Sequence, residues 1–308
     1  MNVIEVRQLT KEFDGKRVLK GIDFTVQKGE VFGFLGPNGA GKTTTMRIIL
    51  GLLKPTSGQA MVLQETLEKS RELRKRVGVL LEEEGLYPRL SAYDNLEYFA
   101  RLYEADGVAQ RINETLGIVG LKGREREKVG YYSKGMKRRL GLARAILHKP
   151  EILLMDEPSS GLDPEAQKLV RDLILELSRG KGVTIFLNSH DLDEVQRICT
   201  RVAILQRGEI RALDTIENLT AARKQEISIT FPDVVEAEKG EEITRALDYV
   251  AELRQIGNTL GIVLKAGGDT SALLSELLEK GTKVEEVKKL TRSLEDIYLE
   301  AVRQEDRE

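Results

Sequence analysis

The chain alternates short, continuous apolar runs with longer amphipathic stretches. That is the pattern of strands buried on both faces with helices laid against them. Residues 3–9 alternate as an edge strand, Phe13-Asp-Gly15 marks a turn, and 18–26 form a second strand region before Lys28-Gly29-Glu30. Residues 30–35 are an apolar run of strand length, and 45–50 start a helix that meets Gly51. Residues 58–63 read as strand or turn, 68–76 as a charged helix, and 77–81 as another apolar strand. From Ser91 to about Leu147 the period becomes helical. Ser91-Ala-Tyr-Asp94 is a capping-box variant with Asp in the place of Glu. Leu96, Phe99, Leu102 and Tyr103 recur at helical spacing, and Ile112, Leu116, Ile118, Val119 and Leu121 make a second apolar face. The stretch from about 88 to 147 is therefore expected to be a helical subdomain set between strands of an α/β core. Two further buried strands, 151–156 and 183–187, flank a tight turn at Ser159–Pro164 and a helix from Glu165.

The pattern changes after Thr220, where a small α+β domain is predicted over 221–308. A strand at 226–231 precedes a hairpin, 250–256 and 259–264 around Gly257-Asn258. An amphipathic helix at 271–280 is closed by Gly281, a residue suited to the left-handed position past a helix end. A last strand at 284–290 and a capped helix over 293–302 complete the domain.

Composition narrows the classes. With 308 residues, 41% apolar and 32% charged, the chain can build real cores, and a net charge of −2 supplies no bulk attraction to nucleic acid. A single cysteine, Cys199, excludes an internal disulfide framework and is expected to be a small core residue. No apolar run reaches the length of a membrane span and no secretory signal pattern is present, so a cytosolic protein is expected.

The chemistry centres on Gly36-Pro37-Asn38-Gly39-Ala40-Gly41-Lys42-Thr43-Thr44, which fits G-x-x-x-x-G-K-[ST] with a strand before it and a helix after it. Glycines let backbone N–H groups approach phosphate oxygens, and a helix opening at Lys42 adds the positive end of its dipole. Lys42 is expected to reach the β- and γ-phosphates of ATP, and the Thr43 hydroxyl to ligate Mg²⁺. The strand ending in Asp156-Glu157 places a metal-holding carboxylate beside one that polarises the attacking water. His190 ends the next strand, in register for the γ-phosphate. Glu82, first of three carboxylates after the strand at 77–81, stands where α/β sheets place ligands, within reach of Mg²⁺ or water. Ser133 and Gly135 open a long basic helix, a second potential anion site. Phe13 is placed to stack on the nucleotide base.

Together these motifs resemble the ATP-binding subunit of ABC transporters over residues 1 to about 220. The Walker A loop spans 36–44, Walker B 152–156, the signature 132–136 and the D-loop 160–163, with Glu157 as catalytic glutamate, His190 as switch histidine and Phe13 as A-loop aromatic. The resemblance implies a head-to-tail dimer in which Ser133 and Gly135 of one copy contact the γ-phosphate held by the other copy's Walker loop. Lys134 and Met136 depart from the usual Leu-Ser-Gly-Gly-Gln, and Glu82 stands where a glutamine is usual. Both departures resemble the exporter branch that pairs with separate ABC-2-type membrane permeases, which implies a site on the inner face of the cell membrane. The closing Ser293-Leu-Glu-Asp-Ile-Tyr-Leu-Glu300 resembles the C-terminal domain of antibiotic-resistance exporter ATPases, where regulation, dimer contact or simple stabilisation are open roles. A soluble ABC ATPase acting on DNA or ribosomes is the rival. The chain has neither long coiled coils nor a second ATPase unit, and transport is favoured. Leu86 and Tyr87, after Glu82, are expected to be exposed contacts for the permease, whereas Phe99 and Leu102 are assigned to the helical subdomain's own core.

Overall fold

A computed structural model describes residues 1–68, 70–221, 225–265, 268–290 and 293–303. The chain divides into two compact units: Met1–Ile216 together with the chain from Tyr298, and Glu217–Ile297.

The first unit opens with strands β1 (Asn2–Phe13) and β2 (Lys16–Gln27), longer than the alternation predicts, followed by β3 (Val31–Leu35) and helix α1 (Lys42–Ile49). Next come β4 (Ser57–Val62), a four-residue α2 (Arg71–Arg74) and β5 (Val77–Leu80). The charged helix expected over 68–76 shrinks to that single turn, and residue 69 lies outside the described residues. Leu73 is its one buried residue, so a longer helix would have no apolar face to bury. The helical stretch holds α3 (Ala92–Leu102), α4 (Val108–Ile118) and α5 (Lys134–Ile146). The Ser91 hydroxyl caps α3 by accepting from the Asp94 amide at 3.1 Å and donates to the Asp94 carboxylate at 2.6 Å. In a full capping box the side chain at the Asp94 position would instead accept from the backbone N–H of Ser91, and the shorter Asp meets the hydroxyl.

The core then continues through β6 (Ile152–Asp156), α6 (Pro164–Leu175), β7 (Thr184–Ser189), α7 (Leu192–Ile198), β8 (Arg201–Gln206) and β9 (Glu209–Thr215), and α8 (Ile216–Ala221) starts at its last residue and runs into the second unit. Among the described residues the first unit's strands form an antiparallel sheet ordered β2-β1-β4 and a mixed sheet ordered β5-β6-β7-β3-β8-β9, parallel except at β8/β9. Alternation along β3 sends Phe32 and Phe34 to one face. There they meet Phe24 of β2 and Phe186 of β7, with ring centroids 5.2–5.9 Å apart. This aromatic layer fastens the antiparallel sheet to the mixed one. Cys199 is buried and its thiol is pushed well up by burial, as suits a core residue.

The second unit contains β10 (Gln225–Thr230), α9 (Val234–Arg245), β11 (Val250–Ile256), β12 (Thr259–Leu264), α10 (Thr270–Glu279) and β13 (Glu286–Leu290), and α11 (Leu294–Arg303) begins in it. Its antiparallel sheet runs β11-β12-β10-β13, a split β-α-β arrangement whose first and last strands pair. Ile227, Ile229, Phe231, Leu260 and Ile262 form its core with Leu273 and Leu277 of α10. Helix α9 has no counterpart in the hydrophobic pattern. Gly240 sits in its middle because a Cβ there would lie 2.5 Å from the Phe231 ring. Among the described residues no helix is long and apolar enough to cross a membrane.

Candidate nucleotide site

Four neighbouring strands, β5, β6, β7 and β3, point their C-terminal ends at one cleft of about 540 Å³. The loop after β3 forms one wall. At Gly36 a Cβ would lie 2.3 Å from the Leu205 carbonyl, so only glycine lets the chain leave the sheet there. The loop closes at Gly41, whose left-handed φ of 113° makes it the N-cap of α1, and the first helical amides face the cleft without intrahelical partners. Pro37, Asn38, Gly39, Gly41, Lys42, Thr43 and Thr44 line the cleft, while Ala40 is turned inward and 3% exposed.

Lys42 is 7% exposed, and its ammonium donates back to the Gly36 carbonyl at 2.5 Å and the Pro37 carbonyl at 3.3 Å. Burial pulls its pKa below the usual lysine range, opposed by the negative charges of Glu157 and Asp156. Asp156, buried at the end of β6, accepts from the side-chain Nδ2 of Asn188 at 3.1 Å and, at a long 3.5 Å, from the Thr43 hydroxyl. Register explains the first contact, since Asp156 lies opposite Asn188 in the β6/β7 ladder. Thr43 and Asp156 set hard oxygen donors side by side, and Glu82 lines the same cleft. These oxygens fit Mg²⁺, which takes one or two protein oxygens and completes its shell with phosphate and water. Among the described residues no group of three or more His, Cys, Asp or Glu stands together as a metal cluster.

Glu157 takes a left-handed φ of 48°, which costs a residue with a Cβ roughly 1 kcal/mol. Its amide donates to the Asn188 carbonyl at 3.0 Å, and its Oε2 lies 2.8 Å from His190 Nδ1. An ionised carboxylate only accepts, so Nδ1 carries the proton in that contact.

Arg138 is the residue that sequence reasoning missed. It is 4% exposed, although it belongs to a helix that reads as long and basic. Its guanidinium donates to five main-chain carbonyls: Leu81 at 2.5 Å, Glu82 at 3.2 Å, Asp156 at 2.5 Å, Glu157 at 2.6 Å and Pro158 at 2.9 Å. One side chain thus ties the end of β5 to the end of β6. Burial lowers its pKa, against the pull of Glu84, Asp156, Glu82 and Glu157. The signal in the sequence is its spacing, because Arg138, Leu142 and Ala145 recur on the buried stripe of α5.

Not every expected residue enters the cleft. Phe13 is 42% exposed at the β1/β2 turn with the Lys11 ammonium 4.7 Å from its ring centroid, and it does not line the cleft, although Val18 on the same hairpin does. Ser133 and Gly135 also lie outside it. The Ser133 hydroxyl accepts from the Met136 amide at 3.2 Å and caps α5. Around Glu82, Tyr87 is exposed as expected, whereas Leu86 is half-buried. Phe99 is half-buried beneath the Arg144 guanidinium, but Leu102 is 56% exposed and does not join the subdomain core. It sits one helical turn beyond the exposed Tyr98 on α3, a position that the periodicity alone assigns equally well to either side of the stripe.

A phosphate loop, paired acidic residues at the next strand end and a histidine at the one after define a nucleotide-hydrolysing cassette of the phosphate-loop class. The comparisons carry this further. Residues 19–160 match the family model described as ABC transporter. The chain is 37% identical over 301 residues to the uncharacterized ABC transporter ATP-binding protein YhcH of Bacillus subtilis, covering 97% of this chain and 95% of that one. It is 36% identical over 307 residues to the bacitracin transport ATP-binding protein BcrA of Bacillus licheniformis, covering 97% of each. Among solved structures, it superposes with a TM-score of 0.63 and 25% identity on the ATP-binding cassette MJ0796, a dimer bound to ADP and Pi in a post-hydrolysis state, over 69% of this chain and 98% of that one. The chain belongs to the ABC transporter ATP-binding proteins, and it is an ATPase.

Proposed function

We propose that this chain powers export through a separate ABC-2-type membrane permease, working as a head-to-tail pair with ATP clamped between two copies. The observation that carries the pairing is the placement of Ser133 and Gly135 at the N-terminus of α5, outside the cleft of their own chain. A second copy gives that helix end an anion to meet. In this reading the loop from Gly36 to Thr44 cradles the phosphates, Lys42 reaches the β- and γ-phosphates, and Phe13 offers its exposed ring to the base. Thr43, Asp156 and Glu82 hold Mg²⁺, which supplies charge neutralisation at the phosphates. Glu157 polarises the attacking water, while His190 fixes the Glu157 carboxylate through Nδ1 and leaves Nε2 for the γ-phosphate. Hydrolysis removes the shared phosphate and releases the clamp.

The surface around Tyr87 supports the permease and an inner-membrane location. Tyr87, Leu90, Tyr98 and Leu102 are 44%, 38%, 49% and 56% exposed, a run of large apolar groups on one subdomain. The Asn95 side chain holds the loop from both sides, accepting from the Tyr87 amide at 2.8 Å and donating to the Tyr87 carbonyl at 3.0 Å. Aromatic groups on a rigid loop suit an interface anchor. The test is co-purification with a six-helix ABC-2-type permease co-expressed from the same source, for the parent and for Tyr87→Asp and Leu102→Asp. The parent is expected to bring the permease down and both variants to lose it while keeping basal ATPase activity. Capture that survives both changes places the docking surface elsewhere, and a parent that captures DNA or ribosomes instead favours the soluble alternative.

A further inference from the structure

Behind Glu157 and His190 lies a buried carboxyl to which the chemistry above gives no part. Glu194, in the first turn of α7, is 5% exposed. Its amide donates to the Asp191 carboxylate at 2.9 Å, so Asp191 caps the helix and leaves the Glu194 side chain for other work. Glu194 Oε1 accepts the hydroxyl of Ser159, and Oε2 accepts the hydroxyl of Ser189 at 3.4 Å. Both serines are buried, at 4% and 1% exposure. The Ser189 oxygen also accepts from the Asp191 amide at 3.0 Å, which directs its proton towards Glu194.

The positions of the serines give the arrangement its meaning. Ser159 stands two residues past Glu157, and Ser189 immediately precedes His190. A closed ring results, running from Glu157 through Ser159, Glu194, Ser189 and His190 back to Glu157 across the 2.8 Å contact. Burial pushes the Glu194 carboxyl up, helped by the negative charges of Asp191 and Glu157 and opposed by the hydroxyls of Ser159 and Ser189. A buried acid facing only like charges is a poor choice for stability, where a well-packed apolar side chain serves better. It is a good choice for gathering two hydroxyls.

We propose that Glu194 is a positioning residue for ATP hydrolysis, a strap that holds the turn bearing Glu157 against the strand end bearing His190. The proposal rests on the reading of Glu157 and His190 given above. Main-chain bonds still pair the two strand ends, with the Glu157 amide on the Asn188 carbonyl at 3.0 Å, but without the strap the Glu157 and His190 side chains are aligned through their own 2.8 Å contact alone.

The test compares Glu194→Ala, Glu194→Gln, the double variant Ser159→Ala/Ser189→Ala and, as reference, Glu157→Gln. Turnover and ATP affinity are measured in each, with the ring-nitrogen NMR signals of histidine. The chain has only two histidines, which keeps that spectrum simple. Glu194→Ala is expected to lower turnover about 10–100-fold, the range seen when partners that orient metal-ligating histidines are lost, with ATP affinity unchanged and the His190 Nδ1 signal shifted. Glu194→Gln keeps one acceptor and adds a donor that a rotated hydroxyl can meet, so it is expected to restore most of the rate. The double serine variant should reproduce Glu194→Ala and carries the test if that variant fails to fold. Parent-rate turnover in Glu194→Ala beside an inactive Glu157→Gln overturns this proposal alone. Parent-rate turnover in Glu157→Gln overturns the reading beneath it. Affinity and turnover falling together with the His190 signal unmoved reduces Glu194 to a structural residue and overturns the proposal.

Discussion

The Arg138 guanidinium donates to the main-chain oxygen of Asp156 at 2.5 Å, joining the helix that Ser133 caps to the strand that delivers the two acidic residues. Any shift of α5 is therefore felt at Asp156 and Glu157 through a short polar contact, as well as through apolar packing.

Replacing Arg138 by Met, which preserves bulk, strands carbonyls at the ends of β5 and β6. A buried acceptor left without a partner costs about 1–3 kcal/mol, so with partial relaxation the variant should lose about 3 kcal/mol of stability. Denaturant unfolding measures this, and turnover should fall more than ATP affinity. A stability equal to the parent's would mean that water replaces the guanidinium.

Lys42→Ala removes the buried ammonium from the phosphate loop. Charge-assisted hydrogen bonds to phosphate are among the stronger kind, and ATP binding is expected to become undetectable by calorimetry under conditions where the parent saturates. Unchanged affinity would contradict the role given to the loop.

Glu157→Gln keeps the shape of the side chain and removes the base. ATP should still bind while turnover falls about 10²–10⁴-fold, the range for a lost general base. The unhydrolysed nucleotide should hold two copies together, seen as an ATP-dependent dimer in size-exclusion chromatography. A variant that turns over at the parent rate would show that Glu157 is not the base, and one that binds ATP without pairing would count against the clamp.

His148 gives a pH prediction remote from the nucleotide. Its ring stacks on Tyr103 at 4.0 Å, Nε2 lies 3.2 Å from the Val77 carbonyl, and Nδ1 is buried with no hydrogen-bond partner among the described residues. Burial pushes its pKa from the usual 6.5 down to about 4. The unfolded chain therefore binds the proton more readily between these values, and stability is lost as pH falls from about 6.5 towards 4. By linkage the loss from this group reaches about 2 kcal/mol at pH 5. His148→Phe keeps the stacking and should unfold with a correspondingly smaller drop between pH 7 and pH 5. An identical pH dependence would show that His148 is not the titrating group.

The elements that carry chemistry were readable because each has a local physical signature. The phosphate loop needs glycines and a lysine at fixed spacing, and the runs ending at Asp156 and at Ser189 are apolar over a strand's length before they turn polar. The contacts between elements were less readable. Arg138 looks like any helix arginine until its partners, Leu81 and Asp156, are brought together from 57 and 18 residues away. Glu194 is similar, since its serines come from two different strand ends. Leu102 misled in the opposite direction, because helical spacing fixes which residues share a stripe but not what that stripe faces. In the second unit, Gly240 hides α9 from propensity because the residue answers to the Phe231 ring.

The order β5-β6-β7-β3 places Glu82, Asp156, Asn188 and the phosphate loop at or just past the C-terminal ends of adjacent strands. Neighbouring strands lie about 4.8 Å apart, a distance set by backbone hydrogen bonds and indifferent to side chains. The sheet thus acts as a ruler, and the intervals between the groups that meet the phosphates are marked in peptide units. Point substitutions in the cleft change what stands at each mark without moving the marks. A one-residue insertion within Ile152–Asp156 does the reverse, leaving composition almost untouched while turning Asp156 to the opposite face. Adaptation of this cleft to new tasks is therefore open to exchange of side chains at the strand ends and closed to insertion within the strands.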